Sequence, residues 1–276
     1  MRLRWPEGFK CPSCVNRVAW KTRKGVLRCS GCRKDISVTA GTIFQDSHIP
    51  LRLWFRAMWL LTNQKTGISA LGLQRALGLG SYRTAWSCLH RLRRAMIRPG
   101  REALEGEVEV DEAFVGGVEK GGGRRRIGKK ALIVIALEAR ETGWGRIRLQ
   151  RVVDSSEPSL IGFIQKTIMP GSKVITDGHW PYRQLPAYGY RHEPRVIGRG
   201  QRERASAELP GVHRVAALLK RWLLGVHQGR VERNGIDRYL EEFAFRFNRR
   251  NSPTRGMLFY RLAQQSMLVR SNAQRV

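Results

Sequence analysis

The segment Glu107-Val-Glu-Val-Asp111-Glu-Ala-Phe114 alternates polar and apolar side chains. This period of two predicts a β-strand with one face turned toward a core. Glu107, Glu109 and Asp111 lie on one face of that strand, and the two valines lie on the other. The strand therefore carries a row of carboxylates into the second half of the chain.

The elements that follow this strand have a recognisable order. Two more strands, a helix and a fourth strand are predicted at Ala131–Glu138, Arg146–Val153, Ser156–Met169 and Lys173–Asp177. Three meandering strands, a helix and a further strand match the ribonuclease-H-like order. In that order the first and fourth strands are neighbours, so Asp111 and Asp177 are expected to lie side by side. An aspartate at the end of a strand is also common in ordinary turns, and this alternative stays open for each aspartate alone.

Two cysteine pairs near the N-terminus predict a metal site. The pairs are Cys11-Pro-Ser-Cys14 and Cys29-Ser-Gly-Cys32. A Cys-x-x-Cys turn points two thiolates at one centre, and two such turns complete a tetrahedron around structural Zn²⁺. Two redox pairs are the alternative, but no strand–helix–strand context surrounds them. The fifth cysteine, Cys88, is predicted to be a buried apolar residue.

A helical region follows the cysteine pairs. Helices are predicted at Leu51–Leu61, Ile68–Leu77 and Ser81–Met96, with a glycine break before the last. The last helix carries basic residues opposite its apolar side, and the pair resembles a helix-turn-helix. The predicted DNA-contacting residues of this helix are Arg83, Arg91 and Arg94. An ordinary helical hairpin with a solvated basic face remains the alternative.

The charge of the chain indicates a polyanionic partner. Its 276 residues contain 51 Lys and Arg against 22 Asp and Glu, a formal charge of +29. Such an excess argues for nucleic acid and against a cationic partner. Arg124, Arg125 and Arg126 lie in a glycine-rich segment predicted to be a flexible DNA-binding loop. The longest apolar runs are far shorter than the roughly 20 residues that span a bilayer, and no apolar signal core is present. A cytoplasmic protein without a membrane segment is therefore expected.

A later segment adds two candidate functional residues. Gly211–Gly225 is predicted to be an amphipathic helix, with an apolar stripe at helical spacing. His213 and Lys220 are seven residues apart, so two helical turns place them on the same side. An ordinary surface histidine is the alternative interpretation of His213.

Taken together, these motifs resemble the DDE-type transposases of bacterial insertion sequences, in the ISXO-like branch with an N-terminal zinc ribbon. The resemblance rests on the cysteine pairs and on four further motifs. These are Glu109-Val-Asp111-Glu-Ala-Phe-Val-Gly-Gly117, Thr176-Asp177-Gly178, Leu218-Leu-Lys-Arg-Trp-Leu-Leu-Gly225 and Tyr239-Leu-Glu-Glu-Phe-Ala-Phe-Arg-Phe-Asn-Arg-Arg250.

The resemblance implies a metal-dependent transposase that cleaves DNA and transfers strands. The family's two aspartates match Asp111 and Asp177, which would bind Mg²⁺ or Mn²⁺. Its third residue, usually Glu or Asn, is here His213, and imidazole suits Mn²⁺ better than Mg²⁺. Lys220 would contact DNA phosphate. The implied partners are double-stranded DNA, as terminal inverted repeats and as target, and further copies of the chain assembled on that DNA. The setting implied is the nucleoid of a prokaryotic cytoplasm.

The predicted fold class is multi-domain, mixing α+β and α/β. A zinc ribbon occupies residues 1–45, a helical, helix-turn-helix-like DNA-binding region 46–100, a ribonuclease-H-like catalytic domain 101–255, and a C-terminal helix or tail 256–276. One rival is a DNA-binding protein with a catalytically dead transposase fold. A second is a zinc-ribbon factor of transcription type, which leaves the two aspartates unexplained. A nuclease of this fold without specificity for DNA ends is a variant of the first interpretation.

Overall fold

A computed structural model describes residues 1–23, 25–64, 66–97, 100–116, 130–195, 208–228, 231 and 235–269. The chain forms two compact units. The first contains Met1–Arg98 together with Ser252–Val276, and the second is Pro99–Asn251. The predicted DNA-binding residues Arg124, Arg125 and Arg126 lie outside the described residues.

The first unit begins with a small antiparallel sheet. Its strands are β1 (Ala19–Lys21), β2 (Leu27–Cys29) and β3 (Asp35–Ile36), in that spatial order. β3 has only two residues, too few for a periodic pattern in the sequence. Their buried side chains form a small core with the cysteines.

Helices complete the first unit. They are α1 (Leu51–Asn63), α2 (Ala70–Leu77), α3 (Tyr82–Ala95) and the C-terminal helix Arg255–Leu268, which packs against α1 and α3. The hydroxyl of Ser81 accepts the N–H of Thr84 at 3.1 Å and so caps the N-terminus of α3. Gly78 ends α2 with φ of 65°, a conformation that glycine adopts without strain.

The second unit is built on a five-stranded sheet. Its strands are β4 (Glu107–Val115), β5 (Ala131–Arg140), β6 (Gly143–Val152), β7 (Lys173–Thr176) and β8 (Arg191–Pro194). The spatial order is β6-β5-β4-β7-β8. The first three strands form an antiparallel meander, whereas β7 pairs in parallel with both β4 and β8. The predicted adjacency of the first and fourth strands of this sheet is therefore confirmed.

Helices cover both faces of this sheet. The face that carries Val108 and Val110 packs against α4 (Glu157–Thr167) and the 3₁₀ helix Trp180–Tyr188. The opposite face of β4 and β5 packs against α5 (Pro210–His227) and α6 (Ile236–Phe247). Because side chains alternate along β4, the odd-numbered residues from Glu109 to Val115 point toward α5 and the even-numbered ones toward α4. The chain is thus a mixed α/β protein.

No helix in the described part of the chain is both long and apolar enough to cross a bilayer.

Candidate active site and metal centre

The four cysteines of the N-terminal pairs converge on one point. Their sulfur atoms all lie within 4.8 Å of one another, with Cys11 and Cys32 at 3.6 Å and Cys14 and Cys29 at 3.5 Å. Four thiolates at the usual Zn–S distance of about 2.3 Å are about 3.8 Å apart in a tetrahedron. The observed separations fit that geometry and are far too long for disulfides. The cluster supports a structural zinc ion with four protein ligands and no open position.

Asp111 and Asp177 are brought together by strand pairing. Glu109 of β4 is in parallel register with Ile175 of β7. Asp111 and Asp177 each follow two residues later, so Asp111, in the middle of β4, lies beside Asp177, which comes directly after the end of β7. Asp177 lies in the turn after β7, where its Oδ1 accepts the N–H of His179 at 2.9 Å. The sheet therefore builds a pair of carboxylates from residues 66 positions apart.

His213 reaches the same place from a helix. It lies in the first turn of α5, and its Nε2 is 3.1 Å from Oδ2 of Asp111. This hydrogen bond raises the pKa of His213 above its ordinary value, against the opposing effect of burial. Both side chains are partly accessible, with 31% of His213 and 17% of Asp111 exposed. A ligand that enters from solvent can therefore reach this pair.

Glu109 holds the beginning of α5 against the sheet. Its Oε2 accepts the N–H of Val212 at 2.8 Å, at the positive end of the helix dipole. Burial raises the pKa of Glu109, and the N–H donors of Val212 and Gly211 oppose that rise. The strand pattern places Glu109 on the same face as Asp111, but nothing in the sequence indicates its contact with α5.

A glycine permits the close approach of α5. A Cβ atom at Gly211 would lie 2.4 Å from Cδ2 of Leu137, 2.7 Å from Oε2 of Glu109 and 2.8 Å from Nε1 of Trp144. Real Cβ contacts are essentially never shorter than 3.0 Å. Only a residue without a side chain allows the helix to present His213 to Asp111 at this separation.

The other face of β4 carries a second, partly buried carboxyl group. Oε1 of Glu112 accepts the hydroxyl hydrogen of Tyr182 at 2.6 Å. Burial raises the pKa of Glu112 to about 7, and the negative charges of Asp111 and Asp177 add to that rise. This pair ties the 3₁₀ helix to the strand that carries Asp111. Its existence depends on tertiary contact and could not be predicted from the sequence.

The donor chemistry of the Asp111–Asp177–His213 group suits a divalent cation. Carboxylate oxygens are the ligands that Mg²⁺ and Mn²⁺ prefer, and imidazole is accepted by Mn²⁺. Among the described residues, however, only the four cysteines form a group of three or more ligands within 4.8 Å. His213 hydrogen-bonds an oxygen of Asp111 that a cation would use, so this contact has to open or be shared when a cation binds.

The predicted DNA-contacting side chains fall into different environments. Lys220 is exposed on α5 and Arg83 is exposed at the start of α3, whereas Arg94 is half-buried. One guanidinium nitrogen of Arg91 donates to the carbonyl groups of Ile43 and Gln45, at 3.1 and 2.7 Å. Arg91 therefore holds the segment before α1 in place, and contact with DNA stays a prediction for all four residues.

Comparison with known proteins agrees with this architecture. A family model described as an ISXO2-like transposase domain matches residues 103–248, and a transposase zinc-ribbon domain matches residues 1–35. The chain is also 28% identical over 266 residues to an uncharacterized protein in transposable element ISH50 of Halobacterium salinarum, covering 89% of this chain and 87% of that protein. The sheet with its paired aspartates lies within the larger match, and the cysteine cluster lies within the smaller one. The chain therefore belongs to the ISXO2-like transposase family.

Proposed function

We propose that this transposase cleaves DNA at the ends of its insertion sequence and joins those ends to target DNA, in a reaction that depends on divalent cations. The observation that carries the proposal is the parallel pairing of β4 with β7, which brings Asp111 inside β4 beside Asp177 directly after β7, with His213 against Asp111. The sheet order, an antiparallel meander continued by parallel strands, supports a ribonuclease-H-like fold for this unit.

The two aspartates would hold the cations. When bound, Mg²⁺ or Mn²⁺ supplies an activated oxygen nucleophile and stabilises the leaving oxygen of the phosphodiester. Two neighbouring carboxylates favour a positive charge between them. The displacement is in line, with water and then a DNA 3′-hydroxyl as nucleophile, and no covalent bond forms between protein and DNA.

His213 would be the third residue of the centre. Its hydrogen bond to Asp111 fixes the orientation of that carboxylate, and its raised pKa favours the protonated imidazole while Asp111 is free of cations. A neutral His213 offers a nitrogen ligand that suits Mn²⁺ better than Mg²⁺. The site is therefore proposed as an Asp/Asp/His variant that prefers Mn²⁺.

The basic residues would hold the DNA. Exposed Lys220 lies on the same helix as His213, seven residues away, and would contact phosphate near the scissile bond. The zinc ribbon and the α2–α3 pair would recognise the terminal inverted repeats. Arg83, Arg91, Arg94 and the segment containing Arg124–Arg126 would neutralise the backbone. Joining two ends calls for a homo-oligomer on DNA, acting in a prokaryotic cytoplasm.

A cleavage assay on labelled oligonucleotides that carry the ends of the insertion sequence tests this proposal. The wild type is expected to cut and join with Mg²⁺ or Mn²⁺, Asp111→Ala to lose both steps, and Asp237→Ala to retain them. Asp237 is a suitable control because it is half-exposed and paired with Arg151 at the surface. Cleavage that survives Asp111→Ala would overturn the assignment of the site.

A second candidate function follows from the contact between His213 and Asp111. An imidazole that permanently occupies the Asp111 carboxylate would leave a DNA-binding protein with an inactive transposase fold. That protein would bind the inverted repeats but cut them with neither ion. The same assay separates the two functions, since cleavage by the wild type excludes the inactive form.

A further inference from the structure

Trp180 occupies an unusual position beside the carboxylate pair. It begins the 3₁₀ helix three residues after Asp177 and is 59% exposed, the highest value among the eight tryptophans of the chain. Three steps of 3.8 Å between Cα atoms place its backbone within about 11 Å of that of Asp177. A large apolar ring is thus displayed to solvent at the edge of a polar, acidic centre.

The backbone that presents Trp180 is fixed to the site on both sides. Asp177 accepts the N–H of His179 at 2.9 Å, and the hydroxyl of Thr176 accepts the N–H of Gly178 at 3.1 Å. On the far side, buried Tyr182 donates to Glu112 at 2.6 Å. These hydrogen bonds fix the backbone of Trp180 relative to Asp177, so a ligand that contacts the Trp180 ring is held at a fixed distance from the Asp177 carboxylate.

Trp180 has no ring or cation partner among the described residues, unlike the exposed tryptophans Trp20 and Trp59. Trp20 lies under the guanidinium of Arg33 at 5.2 Å, and Trp59 packs edge-on against Phe259 at 6.0 Å. A second exposed aromatic residue, Phe114, is 44% exposed and lies two residues after Glu112 on the same face of β4. Phe114 on this face of β4 and Trp180 at the start of the 3₁₀ helix are therefore both open to solvent.

We infer that Trp180 stacks on a nucleobase next to the phosphodiester that Asp111 and Asp177 cleave; this inference rests on the proposed function. An aromatic ring stacks on every base because each base has a π face, and the net charge of +29 favours a polyanionic ligand over an apolar protein partner. Base faces inside a duplex are covered by their neighbours. The stacked base is therefore the terminal or unpaired nucleotide at the cut.

The test compares Trp180→Ala and Trp180→Phe with Tyr188→Ala. Tyr188 is an exposed aromatic residue at the other end of the same 3₁₀ helix. The probes are duplexes that carry the insertion-sequence end, either fully paired or with a mismatch at the nucleotide beside the cut. Trp180→Ala is expected to slow cleavage of the paired duplex about tenfold to a hundredfold, from the usual strength of one base–aromatic stack. The cleavage rates of Trp180→Phe and Tyr188→Ala are expected to lie within about threefold of the wild-type rate. Trp180→Ala is expected to reach a similar rate on the mismatched duplex, because the base there is already unpaired.

A second readout does not depend on cleavage. A 5-iodouracil at the nucleotide beside the cut is irradiated in the complex with the wild-type protein without added divalent cation, and the adduct is mapped by mass spectrometry. An adduct on Trp180 supports stacking. If the adduct forms but the wild type does not cleave, the proposed function fails while the contact between Trp180 and the base remains supported. Adducts confined to other residues would overturn the inference. So would a Trp180→Ala defect of the same size on paired and mismatched duplexes, since that indicates a structural role.

Discussion

Replacing Gly211 by alanine is expected to destabilise the second unit and to separate His213 from Asp111. The new Cβ would lie 2.4 Å from Cδ2 of Leu137 and 2.7 Å from Oε2 of Glu109. Leu137 is fully buried in the centre of the sheet, and Glu109 is bonded to Val212, so neither can move freely. The beginning of α5 must therefore shift outward.

The size of the effect follows from two alternative responses. If the core absorbs the extra methyl group, overpacking costs about 1–3 kcal/mol. If the helix retreats instead, the hydrogen bond from Val212 to the Glu109 carboxylate lengthens, and such a bond contributes about 1.5–3 kcal/mol. The higher helix propensity of alanine offsets up to about 1 kcal/mol. A net loss of up to about 3 kcal/mol corresponds to a Tm lower by up to roughly 10 °C for a unit of this size.

Gly225→Ala is the matched control. Gly225 lies in the same helix, and a Cβ atom there would meet nothing within 4 Å. This variant is expected to gain up to about 1 kcal/mol through helix propensity. Thermal and urea unfolding of both variants measure the difference, and DNA cleavage by Gly211→Ala is expected to fall because His213 no longer orients Asp111. If Gly211→Ala were as stable and as active as Gly225→Ala, the close approach of α5 would not be required.

Three further predictions concern the zinc site, a buried ion pair and DNA binding. By elemental analysis, Cys88→Ser is expected to bind one zinc ion per chain and Cys29→Ser to bind none; equal zinc in both would contradict the four-cysteine site. Glu138→Gln is expected to lower the free energy of unfolding at pH 7 by about 2–4 kcal/mol, because it leaves the charge of Arg146 unpaired. Partial exposure of Arg146 to solvent keeps this cost below that of a fully buried charge. Burial acts to raise the pKa of Glu138, but the hydrogen bonds from Arg146 outweigh it and lower the pKa below 4.5. The stability that ionised Glu138 contributes is therefore present above pH 4.5 and lost as the pH falls below it. The difference in free energy of unfolding between wild type and Glu138→Gln should then narrow in acid. A difference that stays constant from pH 7 to pH 3 in urea unfolding would refute this. Lys220→Ala is expected to weaken DNA binding alike on all sequences and to reduce the slope of log affinity against log salt by about one unit, whereas an unchanged slope would exclude a phosphate contact.

Local patterns in the sequence predict much of the second unit. The alternation at residues 107–114 predicts β4, which spans Glu107–Val115, and the order of elements predicts that it lies beside β7. Strand β8 could not be predicted in this way. Its residues Arg191–Pro194 are polar and include a proline, so it has no apolar period and joins the sheet only as an edge.

The contacts that assemble the site depend on tertiary structure. Glu107 and Glu109 share a strand face, yet Glu107 is exposed beside Lys173 while Glu109 is buried under α5. The sequence pattern is the same for both, and only the position of the helix distinguishes them. Arg91 shows the same limit, since its place on the basic side of α3 does not reveal that it hydrogen-bonds carbonyl groups before α1.

The most direct test of the account is the ratio of Mg²⁺-supported to Mn²⁺-supported cleavage of the insertion-sequence ends. The wild type is expected to prefer Mn²⁺, His213→Glu to shift the ratio toward Mg²⁺ by supplying a third carboxylate, and Asp177→Ala to cleave with neither ion. An unchanged ratio in His213→Glu, or cleavage that persists in Asp177→Ala, would contradict the claim that Asp111, Asp177 and His213 form one catalytic centre.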